Sequence, residues 1–473
     1  MRHLRLAATA LVAVLALPAA AQAGHRPIET AVQGPEHQAG GALNMEVVGQ
    51  HNLGGRGYNA DVWVHEEHAY VGSWGFSDWN TGGEERFCPN DGVAVIDSSD
   101  PANPQQVSTL VSPEGTSAED VVVFTARFGP LAGRDIAAVG IQVCGGSRYD
   151  ATIFRGLQLF DVTNPAAPVE IENRLDTGCC TRGLHELEFQ HRPDLGRTFV
   201  YASVPASEYP DALSPTGVRD QQMPPRGDFR LIDVTDPAMP VEVSDWGVVK
   251  DTGGPLGPGL GCDPDPIFGH SVEPSADGRL AFVAYWDSGF VALDLSDPAT
   301  PVFRGTTSYE FDEDGDGHSS NFDEDRELLF TADEDFCKTS GPDTEKGFGY
   351  LRVYDYSNLT APVQIGEYRT PNSLGASDQG AGDYTIHNPL QKGNDVYISW
   401  YSDGIRVVDA SDPTRPREVA FFVPPSANNP VSPSQRGVLT NATQVWGVAV
   451  DDSTGLVYAS DMNSGLWILR RTD

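Results

Sequence analysis

The stretch Phe290–Pro301 reads FVALDLSDPATP: a short apolar strand, an aspartate, and a turn of the form Ser/Thr-Asp/Asn-Pro. Five further copies of this phrase lie at Val93–Pro104, Leu157–Pro168, Phe229–Pro240, Leu351–Pro362 and Ile405–Pro416. A seventh copy stops at the C-terminus, before its turn. The aspartates that end the six strands stand at positions 97, 161, 233, 294, 355 and 409, between 54 and 72 residues apart. A long period of this kind, with several strands per repeat, is typical of a propeller rather than a solenoid.

Each repeat predicts four antiparallel strands. β-Forming residues make the strand of the phrase, the aspartate accepts backbone N–H groups in the turn, and proline presets the next φ. A further strand precedes the phrase, as at Leu280–Trp286 and Asp395–Tyr401, and a shorter segment that begins His-Ser or His-Asn lies upstream of it. We name these strands A to D, with A innermost, and together they form a propeller blade.

The two ends of the chain predict how the ring closes. The chain stops after strand C of the last repeat, whose outer strand is missing. Met45–Leu53 is similar to the D strands at Pro240–Trp246 and Pro362–Tyr368. We therefore expect an all-β, seven-bladed β-propeller of four-stranded antiparallel blades. An N-terminal strand would complete the last blade and cover the exposed sheet edges.

The repeated phrases resemble those of the LVIVD-repeat family of secreted bacterial β-propeller proteins. The resemblance covers about residues 43–473. It implies the propeller fold and a secreted setting, and it implies no particular reaction.

The N-terminus predicts export. Residues 1–23 have the pattern of a signal peptide, with Arg2 and Arg5, an apolar run over Leu6–Leu17, and Ala21-Gln-Ala as the cleavage site. A polar segment, residues 24–42, follows, and the propeller occupies residues 43–473. Since no other apolar run reaches about 18 residues, we expect no membrane span. The expected location is secreted, either extracellular or associated with the cell surface.

The net charge of −36 repels nucleic acid and anionic membranes and attracts cations. An acidic surface that only keeps the protein soluble accounts for this charge equally well. We expect a monomer whose partner is a small ligand or an extracellular protein, with no nucleic acid and no membrane partner.

The six cysteines favour disulfides, because their number is even and the predicted compartment is oxidising. All six fall in loops that the propeller topology places on one face. Cys88–Cys144 is the favoured pair, since these residues belong to B–C loops of neighbouring blades 1 and 2. The alternative is a metal-binding role for Cys179 and Cys180 beside His185.

Four inner strands begin with a histidine at the same place in the repeat: His185, His270, His318 and His387. Because inner strands line the channel, the four imidazoles of blades 3 to 6 should converge at its mouth on the loop-bearing face. Neutral imidazole is a common ligand of Zn²⁺ and Cu²⁺, and nearby carboxylates could complete a site. The alternative is that these side chains only hydrogen-bond water and neighbouring carbonyl groups.

A second candidate ion site precedes the strand that contains His318. Asp312, Asp314, Asp316 and Asp323 have the spacing of a calcium loop. A strand rather than a helix follows, so calcium would be held on a β scaffold. The alternative is an acidic, glycine-containing loop without an ion.

Three functions remain open from the sequence. The leading prediction is a secreted propeller that binds a metal ion and a small ligand or partner at the loop face and channel mouth. The second is a metal-dependent hydrolase or oxidase that uses the channel histidines, with Glu186 or Asp120 as general base. The third is an extracellular scaffold with an inert channel, to whose acidic rim protein partners bind.

Overall fold

A computed structural model describes residues 40–75, 88, 90–145, 150–179, 181–205, 207, 226–254, 256, 268–309, 315–336, 348–374, 382–427 and 443–473. Strands make up 50% of the structure and helices 3%, so the all-β prediction is confirmed. No helix in these ranges is long and apolar enough to cross a membrane.

The strands form seven successive units after two N-terminal strands, β1 (Ala42–Leu43) and β2 (Met45–His51). Unit one contains β3 (Asn59–His65), β4 (His68–Ser73), β5 (Val93–Asp97) and β6 (Gln105–Leu110). Unit two contains β7 (Thr116–Thr125), β8 (Asp135–Val143), β9 (Gly156–Asp161), β10 (Val169–Glu170) and β11 (Leu175–Asp176). Unit three contains β12 (Leu187–Arg192), β13 (Arg197–Ser203), β14 (Phe229–Asp233) and β15 (Val241–Trp246).

Units four to seven contain β16 (Gly269–Pro274), β17 (Leu280–Tyr285), β18 (Gly289–Asp294), β19 (Val302–Thr306); β20 (Gly317–Asp323), β21 (Leu328–Asp333), β22 (Leu351–Asp355), β23 (Val363–Tyr368); β24 (Pro389–Lys392), β25 (Asp395–Ser399), β26 (Ile405–Asp409), β27 (Arg417–Phe422); and β28 (Val445–Val450), β29 (Val457–Asp461), β30 (Gly465–Arg471). Within the described ranges, single-turn helices lie at Leu53–Gly55, Val248–Thr252 and Trp286–Ser288.

Within each unit, consecutive strands pair antiparallel in chain order, as the repeat predicts. Units one and two are joined by the single residue pair Ser73–Ala118 and so share one nine-stranded sheet. The outer edge of unit two is divided between β10 and β11, which both pair with β9. Strand β1 adds a fifth strand to unit six by pairing with β27.

The N-terminal strand completes the last unit. Strand β2 pairs antiparallel with β30, with Met45 opposite Arg471 and His51 opposite Leu466. The pairing expected from the sequence is therefore present, and it covers the edge of β30 that would otherwise be exposed.

The turn after each third strand is built by the aspartate that ends the repeated phrase. Asp97 Oδ1 accepts a hydrogen bond from Ser99 N at 2.9 Å, and Asp409 Oδ1 accepts one from Ser411 N at 2.8 Å. The same bond, from the backbone N–H two residues further on, is made by Asp161, Asp233, Asp294 and Asp355. An aspartate that satisfies its own turn stabilises it locally, which explains why the residue recurs.

Neighbouring units pack through the fourth strand of one and the turn of the next. Ser244 Oγ of β15 donates a hydrogen bond to Pro298 O at 2.6 Å. At the equivalent place in β23, Gly366 lies against Pro413 O with no room for a side chain. The hydrophobic core is likewise divided into layers between units, and one layer joins Val71 of unit one to Tyr458 of unit seven.

The disulfide Cys88–Cys144 is present, with the two Cα atoms 5.0 Å apart, so this predicted pair is confirmed. Cys179 is also disulfide-bonded. Its sulfur therefore offers no thiolate to a metal ion, which removes the support for a metal role of this residue. Cys180, Cys262 and Cys337 lie outside the described residues.

Candidate metal centre

The four predicted histidines come together in one buried row. The ring centroids of His185 and His270 are 4.3 Å apart, those of His270 and His318 are 3.9 Å apart, and those of His318 and His387 are 4.1 Å apart. None of the four is more than 7% exposed. Trp446, at the same place in unit seven, continues the row 4.5 Å from His387. We call the four histidines the imidazole row.

β-Bulges at the start of first strands direct His270, His318 and Trp446 into the row. The pairing of β16 with β17 shifts between Gly269 and Ser271, which leaves His270 as the extra residue. The same shift in β20 and in β28 singles out His318 and Trp446. Because a bulge re-aims a side chain, this repeated irregularity accounts for the direction of these three rings, while His185 and His387 directly precede β12 and β24.

Serine hydroxyls link the backbones of successive histidines. Ser203 Oγ donates to His270 O, Ser271 Oγ donates to His318 O at 2.6 Å, and Ser319 Oγ donates to His387 O at 2.5 Å. Each bond runs from one unit to the histidine of the next. The spacing of the imidazoles is therefore fixed by hydrogen bonds between units as well as by the strands.

Carboxylates alternate with the rings. Glu119 Oε2 contacts His185 Nδ1. Glu186 Oε1 lies 3.6 Å from His270 Nδ1 and 3.9 Å from His318 Nε2. Glu186 thus stands between two neighbouring imidazoles of the row.

A second carboxylate, Glu334, occupies the next gap. Its Oε2 lies 3.6 Å from His318 Nε2, and its Oε1 lies 4.0 Å from His387 Nε2. Tyr401 Oη donates a hydrogen bond to Glu334 Oε1. The hydroxyl of Tyr401 therefore helps to orient this carboxylate toward the two rings.

The distances of 3.6–4.0 Å between the carboxylate oxygens of Glu186 and Glu334 and the imidazole nitrogens are too long for hydrogen bonds. They are close to the distances between atoms that bind the same metal ion. Ligand atoms bound tetrahedrally at about 2.0–2.2 Å from an ion are about 3.4 Å from one another. His185 Nε2 and His270 Nε2 are closer, at 2.8 Å, and share a hydrogen bond. An ion between those two nitrogens would require them to separate by roughly 0.6 Å.

Burial keeps the imidazoles neutral. It lowers the pKa of His185 to about 3, with the nearby charge of Arg182 acting in the same direction. Burial, followed by the neighbouring imidazoles His318 and His185, holds the pKa of His270 well below its ordinary value. Neutral imidazoles keep a lone pair available for a metal ion at neutral pH.

The same burial disfavours the charged form of the carboxyl groups. It raises the pKa of Glu334 to about 8. The pKa of Glu186 is raised well above its ordinary value by burial and then by Asp61, Asp120, Glu119 and Glu334. A cation among these groups would stabilise their ionised forms.

Buried polar atoms without partners also mark the row. In the part of the chain that the structure describes, His270 Nδ1, His387 Nε2 and Glu119 Oε1 have no hydrogen-bond partner. Buried polar atoms are usually paired, so these donors and acceptors suit a bound ion. Nitrogen and carboxylate oxygen together form a ligand set that transition metals accept.

Two further carboxyl groups at this level, Asp61 and Asp120, have structural partners. Asp61 Oδ1 accepts a hydrogen bond from Asn388 Nδ2 at 2.9 Å. Asp120 accepts from Leu187 N at 2.7 Å and from Val121 N at 2.6 Å, one bond to each oxygen. Since both oxygens of Asp120 bind backbone amides, Glu186 is the better placed of the two general-base candidates.

Sequence reasoning missed Glu334 and Tyr401. Both lie just beyond second strands, β21 and β25, outside the repeated phrase. The acidic run Asp333-Glu-Asp335, directly after a strand that ends on the predicted loop face, is the signal that could have revealed Glu334.

Two residues of the calcium hypothesis, Asp316 and Asp323, are far apart. Asp316 directly precedes the extended strand β20 and Asp323 ends it, which separates them by about 20 Å at the usual rise per residue. Asp323 Oδ2 accepts a hydrogen bond from Arg326 Nε at 2.7 Å. Asp312 and Asp314 lie outside the described residues, so calcium binding stays a prediction.

A smaller group with metal-ligand chemistry lies elsewhere. His65, Glu66 and Asp135 each offer a ligand atom within 4.8 Å of the others. His65 Nε2 lies 3.2 Å from Asp135 Oδ1, which also accepts from Thr125 Oγ1 at 2.6 Å. None of the three is buried, so this group has much less protection from solvent than the imidazole row.

The repeated four-stranded units define the chain as an all-β repeat protein. The family model of the LVIVD repeat matches residues 56–76, 269–308 and 392–422. The chain therefore contains LVIVD repeats at these three regions, in agreement with the resemblance of its phrases. No curated protein matches it.

Proposed function

We propose that this protein is a secreted, closed seven-bladed β-propeller that binds a transition-metal ion, and with it a small ligand or partner, at its channel mouth. The observation that carries the proposal is the row of four buried imidazoles with Glu186 and Glu334 between them. This donor set suits Zn²⁺ or Cu²⁺.

Contacts between the last unit and the first support closure of the ring. Asn59 Nδ2 of β3 donates a hydrogen bond to Asp461 O of β29 at 3.0 Å. Ser460 Oγ of β29 donates to Ala60 O of unit one, just as Ser203 Oγ of unit three donates to His270 O of unit four. The seventh unit therefore contacts the first through the same hydrogen bond that joins other successive units.

Aromatic side chains beside the imidazole row support binding of a small ligand. The ring centroid of Trp286 is 5.4 Å from that of His270, and Trp446 flanks His387. A few polar groups among aromatic walls are typical of ligand sites. A metal ion with an open coordination position would fix the ligand, and the aromatic faces would pack against it.

The disulfide Cys88–Cys144 supports the proposed secretion, because such bonds persist in oxidising compartments. The signal peptide, residues 1–23, lies outside the described residues and stays a prediction. We propose further that the protein is a monomer and that it binds neither nucleic acid nor membranes.

Elemental analysis of the secreted protein, purified without chelators, tests the proposal. We expect a stoichiometric transition metal in the wild-type protein and in a His68→Ala variant, because His68 lies at the start of β4 and outside the row. The His270→Ala, His387→Ala double variant should lose the metal. Equal metal contents in the double variant and the wild type would overturn the proposal.

A further inference from the structure

We infer that the imidazole row holds two divalent cations side by side rather than one. The inference rests on the proposed metal-binding function and adds to it the number of ions and the role of Glu334. It follows from how the donors are grouped, from the position of Glu186, and from the charge of the site.

The donors fall into two groups. His185, Glu186 and His270 offer ligand atoms that all lie within 4.8 Å of one another, and so do His270, His318 and Glu334. In the described part of the chain, no such group contains both His185 and His318. One ion therefore cannot use the whole row. His270 belongs to both groups, and its neutral imidazole offers one lone pair, so it binds only one of two ions. His387, beside Glu334, can take its place in the second group.

Glu186 stands where a bridging ligand belongs. Its Oε1 faces His270 Nδ1 of the first group at 3.6 Å and His318 Nε2 of the second at 3.9 Å. Two-metal sites hold their ions about 3.5–4 Å apart. A carboxylate shared between neighbouring imidazoles is suited to that separation, and His387, which faces Glu334 Oε1 at 4.0 Å, extends the second group.

The charge of the site favours two ions over one. Five carboxyl groups lie close enough to influence one another here, four of them buried and Asp120 half-buried: Asp61, Glu119, Asp120, Glu186 and Glu334. The positive charge of Arg182 acts on Glu119 and on the first imidazoles. In their ionised forms these five carboxylates exceed this arginine by four charges, and Asp383, which acts on Glu334, adds a further negative charge. A single divalent cation would leave more than half of this excess uncompensated, whereas two compensate most of it.

The stoichiometry of Zn²⁺ binding tests the inference. The full mature chain is stripped of metal with EDTA, and Zn²⁺ is titrated in competition with a chromophoric chelator at about 0.15 M salt, which screens the acidic surface. We expect two tightly bound Zn²⁺ ions in the wild type. We expect one in Glu334→Gln, which keeps the first group, and one in His185→Ala, which keeps the second.

Two controls separate this site from other acidic groups. Glu367→Gln changes a carboxylate on the outer strand β23, and His65→Ala removes the partly exposed group that contains Asp135. Both variants should keep the two tight ions. If His65→Ala loses one of them, the second ion lies outside the row and the inference is overturned.

A measurement on the wild type avoids any dependence on variant folding. Protein loaded with two Co²⁺ ions should give an electron paramagnetic resonance spectrum with magnetic coupling between neighbouring ions. One Zn²⁺ per wild-type chain, or two uncoupled Co²⁺ ions, would overturn the two-ion inference and leave the proposed metal function intact. No tight Zn²⁺ binding in the wild type would overturn both.

Discussion

Gly49 of β2 lies against the carbonyl oxygen of Pro101, in the turn that follows β5, so closely that no side chain fits between them. Gly305 meets Leu359 O, and Gly366 meets Pro413 O, in the same way at two other junctions between successive units. The N-terminal strand thus joins the last unit to the first through the contact that joins other neighbours.

Gly49→Ala should therefore destabilise the protein. A methyl group would overlap a backbone oxygen and displace β2 or the turn, at a cost of about 1–3 kcal/mol. Thermal unfolding followed by circular dichroism measures the effect. Gly254→Ala is the matched control, because a Cβ there meets nothing within 4 Å. Equal melting temperatures for the two variants would show that the contact at Gly49 does not hold the strand.

The disulfide predicts a second stability effect. Cys88 and Cys144 are 56 residues apart in sequence, and a bond across such a loop typically contributes about 2–4 kcal/mol. The Cys88→Ser, Cys144→Ser double variant should melt several degrees lower than the wild type. Peptide mapping without reductant should recover the Cys88–Cys144 pair, and free thiols at both positions in secreted protein would refute it.

The Ser271→Ala substitution should weaken metal binding more than it lowers the stability of the fold. Its hydroxyl donates to His318 O at 2.6 Å, and Ser244 makes a bond of the same length to Pro298 O on the outer strands. Ser271→Ala should weaken Zn²⁺ binding about 10–100-fold, because groups that orient a ligand are needed for affinity. Ser244→Ala should leave Zn²⁺ binding unchanged.

Each of these two serine variants should lose about 1 kcal/mol of stability, the usual contribution of such a bond. Comparing their melting temperatures with their Zn²⁺ affinities separates a positioning role from a structural one. Equal Zn²⁺ affinities in both variants would show that the hydroxyl of Ser271 does not position the imidazole row.

The stability of the protein should depend on pH through Glu273, a buried carboxyl group outside the imidazole row. Asn321 Nδ2 donates to its Oε1 at 2.8 Å. Burial raises its pKa to about 8, the charge of Glu324 adds to this, and Lys392 opposes it. Glu188 faces the same carboxyl group. Between the ordinary carboxyl value of 4.5 and about pH 8, the folded protein holds a proton that the unfolded chain has released.

The unfolded state therefore binds fewer protons in this window, and the free energy of unfolding falls as the pH rises. Glu273→Gln removes the charge and should raise the melting temperature at pH 8 by about 1–3 °C, with little change at pH 4.5. Glu114→Gln, an exposed site, serves as the control. The same shift at both pH values would contradict this account of Glu273.

Local rules explain what the sequence could predict. The turn after each third strand depends on residues two positions apart, as Asp294 and Ser296 show, so it is legible in the repeated phrase. The convergence of the histidines follows from their equal place in successive repeats. Glu334 was not predictable in this way, because it follows β21 outside the repeat. The calcium spacing stays a prediction, because Asp312 and Asp314 lie outside the described residues, while extended backbone holds Asp316 and Asp323 apart.

The central claim is that the imidazole row binds metal, and anomalous X-ray scattering tests it most directly. Crystals of protein purified without chelators, then supplied with Zn²⁺, would be measured on both sides of the zinc absorption edge. The account predicts a strong anomalous peak between Glu186 and His270, with a second beside Glu334. Zinc-loaded crystals whose peaks lie only at His65 and Asp135, or elsewhere on the surface, would contradict it.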